Sequence, residues 1–178
     1  MSYCSQILNG IGLDCSSSIG GIRAIYLANR GGIDTMVIDT TGGLWQVASI
    51  EMIDGGFHKY EVRKNSQSSM TWSKGGDDSA GTMVITTTIQ GTFAQMTPEK
   101  ISELDAIFKG QFIAIVEDRN GNFWVPITTQ DDYMASSAGE GTTGTAATDA
   151  NQLSFTLTGE ANHTPYLLLN GFENIPMA

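Results

Sequence analysis

The stretch that decides the fold class is residues 57–93, FHKYEVRKNSQSSMTWSKGGDDSAGTMVITTTIQGTF. Over residues 57–74, most apolar side chains stand at even-numbered positions and polar side chains at odd-numbered ones. The apolar positions are Tyr60, Val62, Met70 and Trp72. A period of two is that of a β-strand with one buried face, so it predicts one long strand or two collinear strands. Residues 82–93 alternate isoleucine and phenylalanine with threonine after a Gly- and Asp-rich turn, which completes a long antiparallel hairpin.

This hairpin predicts a protein that assembles with copies of itself. Its middle, residues 65–68, has no apolar side chain, so we expect this part of the ribbon to extend beyond the domain core. Exposed strand edges bind other chains unless they are protected, and identical hairpins joined around a ring would satisfy them as one continuous barrel. The candidate residues for a channel-lining or inter-subunit surface are Lys59, Glu61, Arg63, Asn65, Gln67, Asp77 and Asp78.

Other strand-like segments are short and apolar. Residues 22–27 and 33–38 are rich in β-branched residues and bounded by glycine pairs. Residues 44–53 also fit a helix, although their β-branched neighbours favour a strand. Residues 153–157 alternate apolar and polar side chains, which predicts a strand with one buried face, and the apolar segment 166–169 is expected to close the sheet.

A second hairpin is predicted around Asn120-Gly121, a dipeptide that strongly favours a two-residue turn. Apolar residues 112–116 precede it and residues 123–127 form the return strand. Pro126 has no amide hydrogen to donate, so we expect the return strand to lie at a sheet edge or to end there.

One helix is predicted between Thr97 and Gly110. Thr97 is a favourable N-cap, Pro98 suits the first helical position, and glycine commonly follows a helix end. The predicted packing face, at helical spacing, consists of Ile101, Leu104, Ile107 and Phe108. With the strands described above, this predicts a mainly β fold, an antiparallel β-sandwich or small barrel with one flanking α-helix.

Two further segments are predicted to lie outside the core. Residues 1–21 form an irregular N-terminal arm that docks on a neighbouring copy or along its own domain, and residues 22–178 form the single domain. Residues 130–150 are rich in Gly, Ala, Ser and Thr, and are predicted to form a long loop. We expect this loop to contact a neighbouring ring through Asp131, Asp132, Tyr133 and Glu140.

The charge balance argues against nucleic-acid recognition. Nineteen Asp and Glu residues face nine Lys and Arg residues, for a net charge of −10, and no segment gathers the basic residues into a patch. An acidic surface suits a channel past which DNA slides without adhering. The N-terminal residues lack the features of a signal peptide, and no segment has the roughly 20 consecutive apolar residues of a membrane span, so we expect synthesis in the cytoplasm and no membrane partner.

No pattern predicts a cofactor, a metal or catalysis. Residues 139–144 match G-x-G-x-x-G, but neither a buried strand before them nor a helix after them is predicted, and nucleotide binding needs both. Asp118 opens a segment that resembles a calcium loop but lacks its glutamate, so a hairpin turn explains it better. His58 and His163 stand in no nucleophile or metal pattern; His58 is expected to be partly buried. We therefore expect no enzymatic activity.

The two cysteines, Cys4 and Cys15, have no further Cys or His at metal-site spacing. Without a sign of an oxidising compartment, we expect two buried, reduced thiols. The sequon at residues 162–164 is expected to be a turn.

The order of these elements resembles bacteriophage tail-tube and neck-ring proteins. The segments that carry the resemblance are FHKYEVRKNSQSSMTWS (57–73), TMVITTTIQGTF (82–93), TPEKISELDAIFKG (97–110), FIAIVEDRNGNFWVPI (112–127) and GTAATDANQLSFTLTGEANHTPYLL (144–168). The resemblance covers residues 22–169, most of the chain, and rests on element order. It implies a virion structural subunit, assembled in the bacterial host cytoplasm into rings of six or more identical copies. These rings, together with neighbouring tail or neck proteins, would conduct DNA without binding it specifically.

A different class of function is a carbohydrate-binding β-sandwich on a virion fibre or surface protein. Trp45, Trp72 and Trp124 are its candidate stacking platforms, although the strand neighbours of Trp72 and Trp124 favour core packing. Within the structural class, a single connector ring is the other possibility beside a stacked tube.

Overall fold

Two apolar strands at residues 22–29 and 111–118 form the centre of the fold. In this computed structural model, which describes residues 11, 17–62 and 68–178, both strands are buried on both faces over five or six consecutive residues. They pair antiparallel from Ile22↔Asp118 to Asn29↔Phe112. Continuous runs of isoleucine, valine and alanine suit strands covered on both sides.

The described part of the chain contains eleven strands, one α-helix and three short 3₁₀ helices. The strands are β1 (Ile22–Asn29), β2 (Ile33–Asp39), β3 (Gln46–Met52), β4 (His58–Glu61), β5 (Ser69–Gly75), β6 (Val84–Ala94), β7 (Gln111–Asp118), β8 (Phe123–Val125), β9 (Met134–Thr142), β10 (Gln152–Ala161) and β11 (Tyr166–Leu168), and the helix is α1 (Pro98–Lys109). The predicted mainly β fold with one flanking helix is confirmed, and the arrangement is consistent with a β-sandwich.

The strands form one branched sheet in the order β2-β3-β11-β8-β7-β9-β10-β6-β5. β1 pairs with the other edge of β7, and β4 pairs with β1. The expected antiparallel pairing holds except between β3 and β11, which are parallel. Because β8 and β9 pair with different ends of β7, the sheet divides there into one half of β2, β3, β11 and β8 and another of β9, β10, β6 and β5. Both halves contribute side chains to one hydrophobic core.

Side chains from β1 join the two halves. Ile25 packs towards Phe155 of β10 and Gly91 of β6. The adjacent Tyr26 points to the opposite side, where its ring centroid lies 6.0 Å from that of Phe123. Burial and a hydrogen bond from the Tyr26 hydroxyl to the buried carboxylate of Glu117 raise the pKa of Tyr26.

The helix begins as predicted, but half of its predicted packing face is exposed. Thr97 is the N-cap and its Oγ1 accepts a hydrogen bond from the Lys100 amide. Within the predicted face, Leu104 and Ile107 are buried, whereas Ile101 and Phe108 are 46% and 41% exposed. Ile101 therefore lies outside the buried face of α1, whereas the Phe108 ring packs over Gly139 of β9 although part of the ring is exposed.

The second hairpin is confirmed. β7 and β8 pair at Val116↔Trp124 and Glu117↔Phe123 around the turn at Asn120-Gly121, where Gly121 has φ = 85°. β8 lies between β7 and β11 and ends one residue before Pro126, so the proline marks a strand end rather than a sheet edge.

Two predictions about β-structure are wrong. Residues 134–142 of the predicted loop form β9, which pairs with β10 from Gln152↔Thr142 to Gly159↔Met134. The predicted ribbon over residues 57–74 is wrong in its first part, because β4 pairs with β1; in its second part β5 pairs with β6, as the predicted hairpin requires. His58, expected to be partly buried, is exposed on β4.

Part of the N-terminal arm also falls within the described residues. Residues 17–21 are exposed, and the Asn120 side chain holds Ile19 by accepting from its amide at 2.9 Å and donating to its carbonyl at 3.0 Å. The described end of the arm therefore lies on its own domain. Cys4 and Cys15 lie outside the described residues. In the described part of the chain, no helix is long and apolar enough to cross a membrane.

Candidate assembly surface

The hairpin β5–β6 forms an edge of the sheet that no other described strand covers. Its seven cross-strand pairs, from Ser69↔Gln90 to Gly75↔Val84, run without a register shift. β5 is the last strand in the sheet order, and among the described residues it pairs with β6 alone. Residues 71–75 are exposed. The free backbone groups of such an edge can add a strand from another chain.

Trp72 stands at the middle of this edge. It faces Thr87, on the same side of the hairpin as Met70, as the alternation predicts. The prediction that Trp72 is core is nevertheless wrong, since it is 51% exposed. The reason is its position on the outermost strand, beyond which no other described strand lies. An exposed tryptophan on an open edge is a typical anchor of a protein interface.

The turn between β5 and β6 is organised by its two acidic residues. Asp77 accepts hydrogen bonds from the Ser79 hydroxyl at 2.6 Å and the Ser79 amide at 2.9 Å, which lower the pKa of Asp77. Lys74 donates to Asp78 at 2.8 Å and lowers the pKa of Asp78. Both candidate residues are therefore exposed carboxylates that shape the hairpin end.

The remaining hairpin candidates lie elsewhere or outside the described residues. Lys59 and Glu61 form an exposed ion pair of 2.8 Å on β4, where the hydrogen bond from Lys59 lowers the pKa of Glu61. Because β4 pairs with β1, these two residues are not on the β5–β6 hairpin. Arg63, Asn65 and Gln67 lie outside the described residues.

The predicted inter-ring residues do not form one loop. Asp132 accepts from the Thr129 hydroxyl at 2.8 Å, and Asp131 accepts through its backbone carbonyl from Arg30. The Arg30 guanidinium also lies 5.0 Å from the centroid of the Tyr133 ring. Glu140 is separate from these residues, exposed on β9 opposite Ser154.

The glycine-rich motif and the acidic turn have structural roles. Gly139 and Gly141 lie in β9, and the strand β10 follows the motif where nucleotide binding would require a helix. Asp118 accepts from the amides of Asn120 and Asn122 and from the Trp124 indole at 3.1 Å. The carboxylate thus caps the β7–β8 turn, as the hairpin interpretation predicts.

A row of three aromatic rings lies at the other end of the sheet. The Trp45 ring centroid is 6.1 Å from that of Tyr166, and the Tyr166 ring stacks on His163 at 4.1 Å with an interplanar angle of 22°. Thr128 Oγ1 and His163 Nε2 are 2.9 Å apart. Trp45 is 59% exposed, whereas burial raises the pKa of Tyr166. The sequence pattern indicated Trp45 but not its two partners, because Trp45 meets Tyr166 through the β3–β11 pairing and His163 meets Tyr166 through the local fold next to Thr128.

Among the described residues, no group of three or more His, Cys, Asp or Glu side chains is placed to hold a metal ion. Two surfaces stand out by their own geometry, the open edge of β5 and the aromatic row. Comparison of the chain with protein-family models, curated proteins and solved structures finds no significant match.

Proposed function

We propose that this protein is a structural subunit of a bacteriophage tail tube or neck ring, which assembles with identical copies around a channel that conducts DNA. The observation that carries the proposal is the open edge of β5, with Trp72 exposed at its centre. A stable monomer is expected to protect such an edge with a bulge, a proline, charged side chains or a covering segment. The single charged residue of β5, Lys74, stands next to the end of the strand and is paired with Asp78 of the turn.

The other strand edges in the described residues support this choice of surface. β2 has two register irregularities against β3, and the Gln130 side chain donates to the carbonyls of Ile33 and Asp34 at the start of β2. β4 has only four residues. Irregular, covered or short edges resist strand addition, whereas β5 is regular and seven residues long. We therefore assign the principal contact between copies to β5.

A ring requires this edge to meet a different surface on the next copy, since a heterologous contact repeated by rotation closes into a ring. The net charge of −10 per subunit supports a channel that repels DNA. Asp77 and Asp78 fit such a role because hydrogen bonds lower the pKa of each, and both stay ionised at neutral pH.

Two measurements test the proposal. Molar mass in solution, measured over a wide range of protein concentrations, is expected to rise to a ring of defined copy number. Electron microscopy then distinguishes stacked tubes, expected of a tail-tube subunit, from single rings, expected of a neck component. A chain that stays monomeric at every concentration would overturn the proposal.

A further inference from the structure

The aromatic row is fixed before any ligand arrives. Tyr166 on β11 and Trp45 just before β3 are held on neighbouring strands by the parallel pairing Leu167↔Gln46. His163 is restrained through both ring nitrogens, by Thr128 Oγ1 at 2.9 Å and the Thr164 carbonyl at 2.7 Å. Because Tyr166 and His163 are held in this way, they give Trp45 a fixed neighbouring ring, which reduces the entropic cost of ordering the side chains around a ligand on Trp45.

We propose that this row is a binding site for a neutral saccharide, with the exposed face of Trp45 stacking against a pyranose ring. The π-face of an indole is electron-rich and attracts polarised C–H groups. One side of a pyranose ring is a flat apolar face made of such C–H groups. The site is distinct from the β5 edge and does not depend on ring assembly.

The geometry favours a saccharide over other ligands of aromatic sites. The interplanar angles, 32° between Trp45 and Tyr166 and 22° between Tyr166 and His163, make a row of rings rather than the walls of a cage. A quaternary ammonium ligand is recognised by an enclosing cage, which these rings do not form. A nucleic acid whose bases stack on a protein also needs cationic groups for its phosphates. The net charge of −10 opposes the binding of nucleic acids and of acidic sugars alike.

Polar side chains stand at the two strand ends that flank the β2–β3 connection, on which Trp45 lies. Asp39 accepts from the Thr41 hydroxyl at 2.5 Å and from the Thr41 amide at 2.9 Å, and these bonds lower the pKa of Asp39. Its carboxylate is therefore an ionised acceptor at neutral pH, and Gln46, its cross-strand partner, is a polar neighbour in sequence of Trp45. Saccharide sites combine a stacking ring with a few such polar groups.

The other tryptophans provide contrasting cases. Trp124 is half-buried and its indole N–H is committed to Asp118. Trp72 is exposed to a similar extent as Trp45, 51% against 59%, but within residues 17–62 and 68–178 no aromatic ring contacts it. Trp45→Ala and Trp72→Ala thus remove similarly exposed rings, only one of which belongs to the row.

The test is titration of the intact chain with maltohexaose, cellohexaose and chitohexaose, followed by tryptophan fluorescence and calorimetry. We expect at least one of them to bind, Trp45→Ala to weaken that binding about tenfold or more, and Trp45→Phe to weaken it less. Trp72→Ala is expected to leave it unchanged, and circular dichroism checks that each variant is folded.

Absence of binding for all three sugars at millimolar concentration, or equal loss in the two alanine variants, would overturn the proposal. Molar mass, measured on the same samples, separates this outcome from failure of ring assembly.

Discussion

The ring of Phe155 covers Gly91, its cross-strand partner, so closely that a β-carbon at residue 91 would lie 2.6 Å from Phe155 Cε1. The same β-carbon would be 3.1 Å from Cδ1 of Ile25 on β1. The absent side chain of Gly91 therefore lets β1 approach the β6–β10 pair. The close packing of the two halves of the sandwich at this point therefore depends on a glycine at residue 91.

We expect Gly91→Ala to lower the free energy of unfolding by about 1–3 kcal/mol, since an added methyl group overpacks a closed core. Urea denaturation measures the change. Gly75→Ala is the matched control, because a β-carbon at residue 75 would meet its nearest atom, the Val84 carbonyl oxygen, at 3.8 Å. If both variants lost equal stability, the close packing at Gly91 would not be the cause.

The N-cap of α1 is a second position with a defined contribution. Thr97→Ala removes the hydroxyl that accepts from the Lys100 amide at 3.4 Å, and we expect a loss of about 1 kcal/mol in urea denaturation. Thr97→Ser keeps an accepting hydroxyl and is expected to retain most of the stability. A serine variant as unstable as the alanine variant would contradict the capping role.

Local signals in the sequence predicted individual elements well. Thr97 and Pro98 placed the start of α1 correctly, and the alternation of Leu153, Phe155 and Leu157 identified the buried face of β10. These signals depend on neighbours along the chain. The mainly β fold with one helix followed from them without knowledge of the strand partners.

Strand partners and β9 could not be predicted in the same way. The apolar residues of β4 and β5 stand at even-numbered positions in both strands. This alternation shows which face of each strand is apolar, but it does not show which strand is the hydrogen-bonding partner, and β4 and β5 have different partners. In β9, Gly139 and Gly141 gave no apolar signal because their missing side chains make room for other residues, the Phe108 ring and Leu153 respectively. Tertiary packing therefore explains a strand whose composition is that of a loop.

The same limit applies to the candidate sites. Trp45 was recognisable as an exposed ring, but the stacking of Tyr166 on His163 depends on the fold of residues 163–166 against Thr128. The polar hairpin residues were placed on one ribbon, whereas Lys59 and Glu61 belong to β4. Ring assembly itself stays a prediction.

Asp118 is expected to make stability depend on pH in the acid range. Burial raises its pKa, but hydrogen bonds from Asn122, Trp124 and Asn120 outweigh burial and lower the pKa below the ordinary 3.8. A carboxyl whose pKa is lower in the folded state stabilises the fold above the unfolded-state pKa. This stabilisation is lost as the pH falls through 3.8 and then through the folded-state pKa.

Asp118→Asn is therefore expected to cost about 1 kcal/mol at neutral pH, and less as the pH is lowered. Chemical denaturation at a series of pH values measures this convergence. The control is Asp105→Asn, which removes only an exposed ion pair with Lys109 and should have little effect. If the difference in unfolding free energy between wild type and Asp118→Asn stayed constant down to the lowest pH measured, the ionised Asp118 carboxylate would not be what stabilises the turn.

The strongest prediction from the β5 edge concerns Trp72. Replacing it with lysine removes an exposed apolar anchor and places a charge in the middle of the edge, which is how natural sheets discourage pairing with other chains. We expect Trp72→Lys to weaken self-association by about 2 kcal/mol or more, the usual effect of losing a central interface tryptophan, while the monomer keeps its fold. Analytical ultracentrifugation measures the association constant.

Trp45→Lys is the control for this prediction, because it introduces the same charge at a similarly exposed tryptophan and should leave association unchanged. If Trp72→Lys assembled as readily as wild type, β5 would not be the surface that joins the copies, because a charged side chain cannot be accommodated at the centre of a paired, desolvated edge without cost.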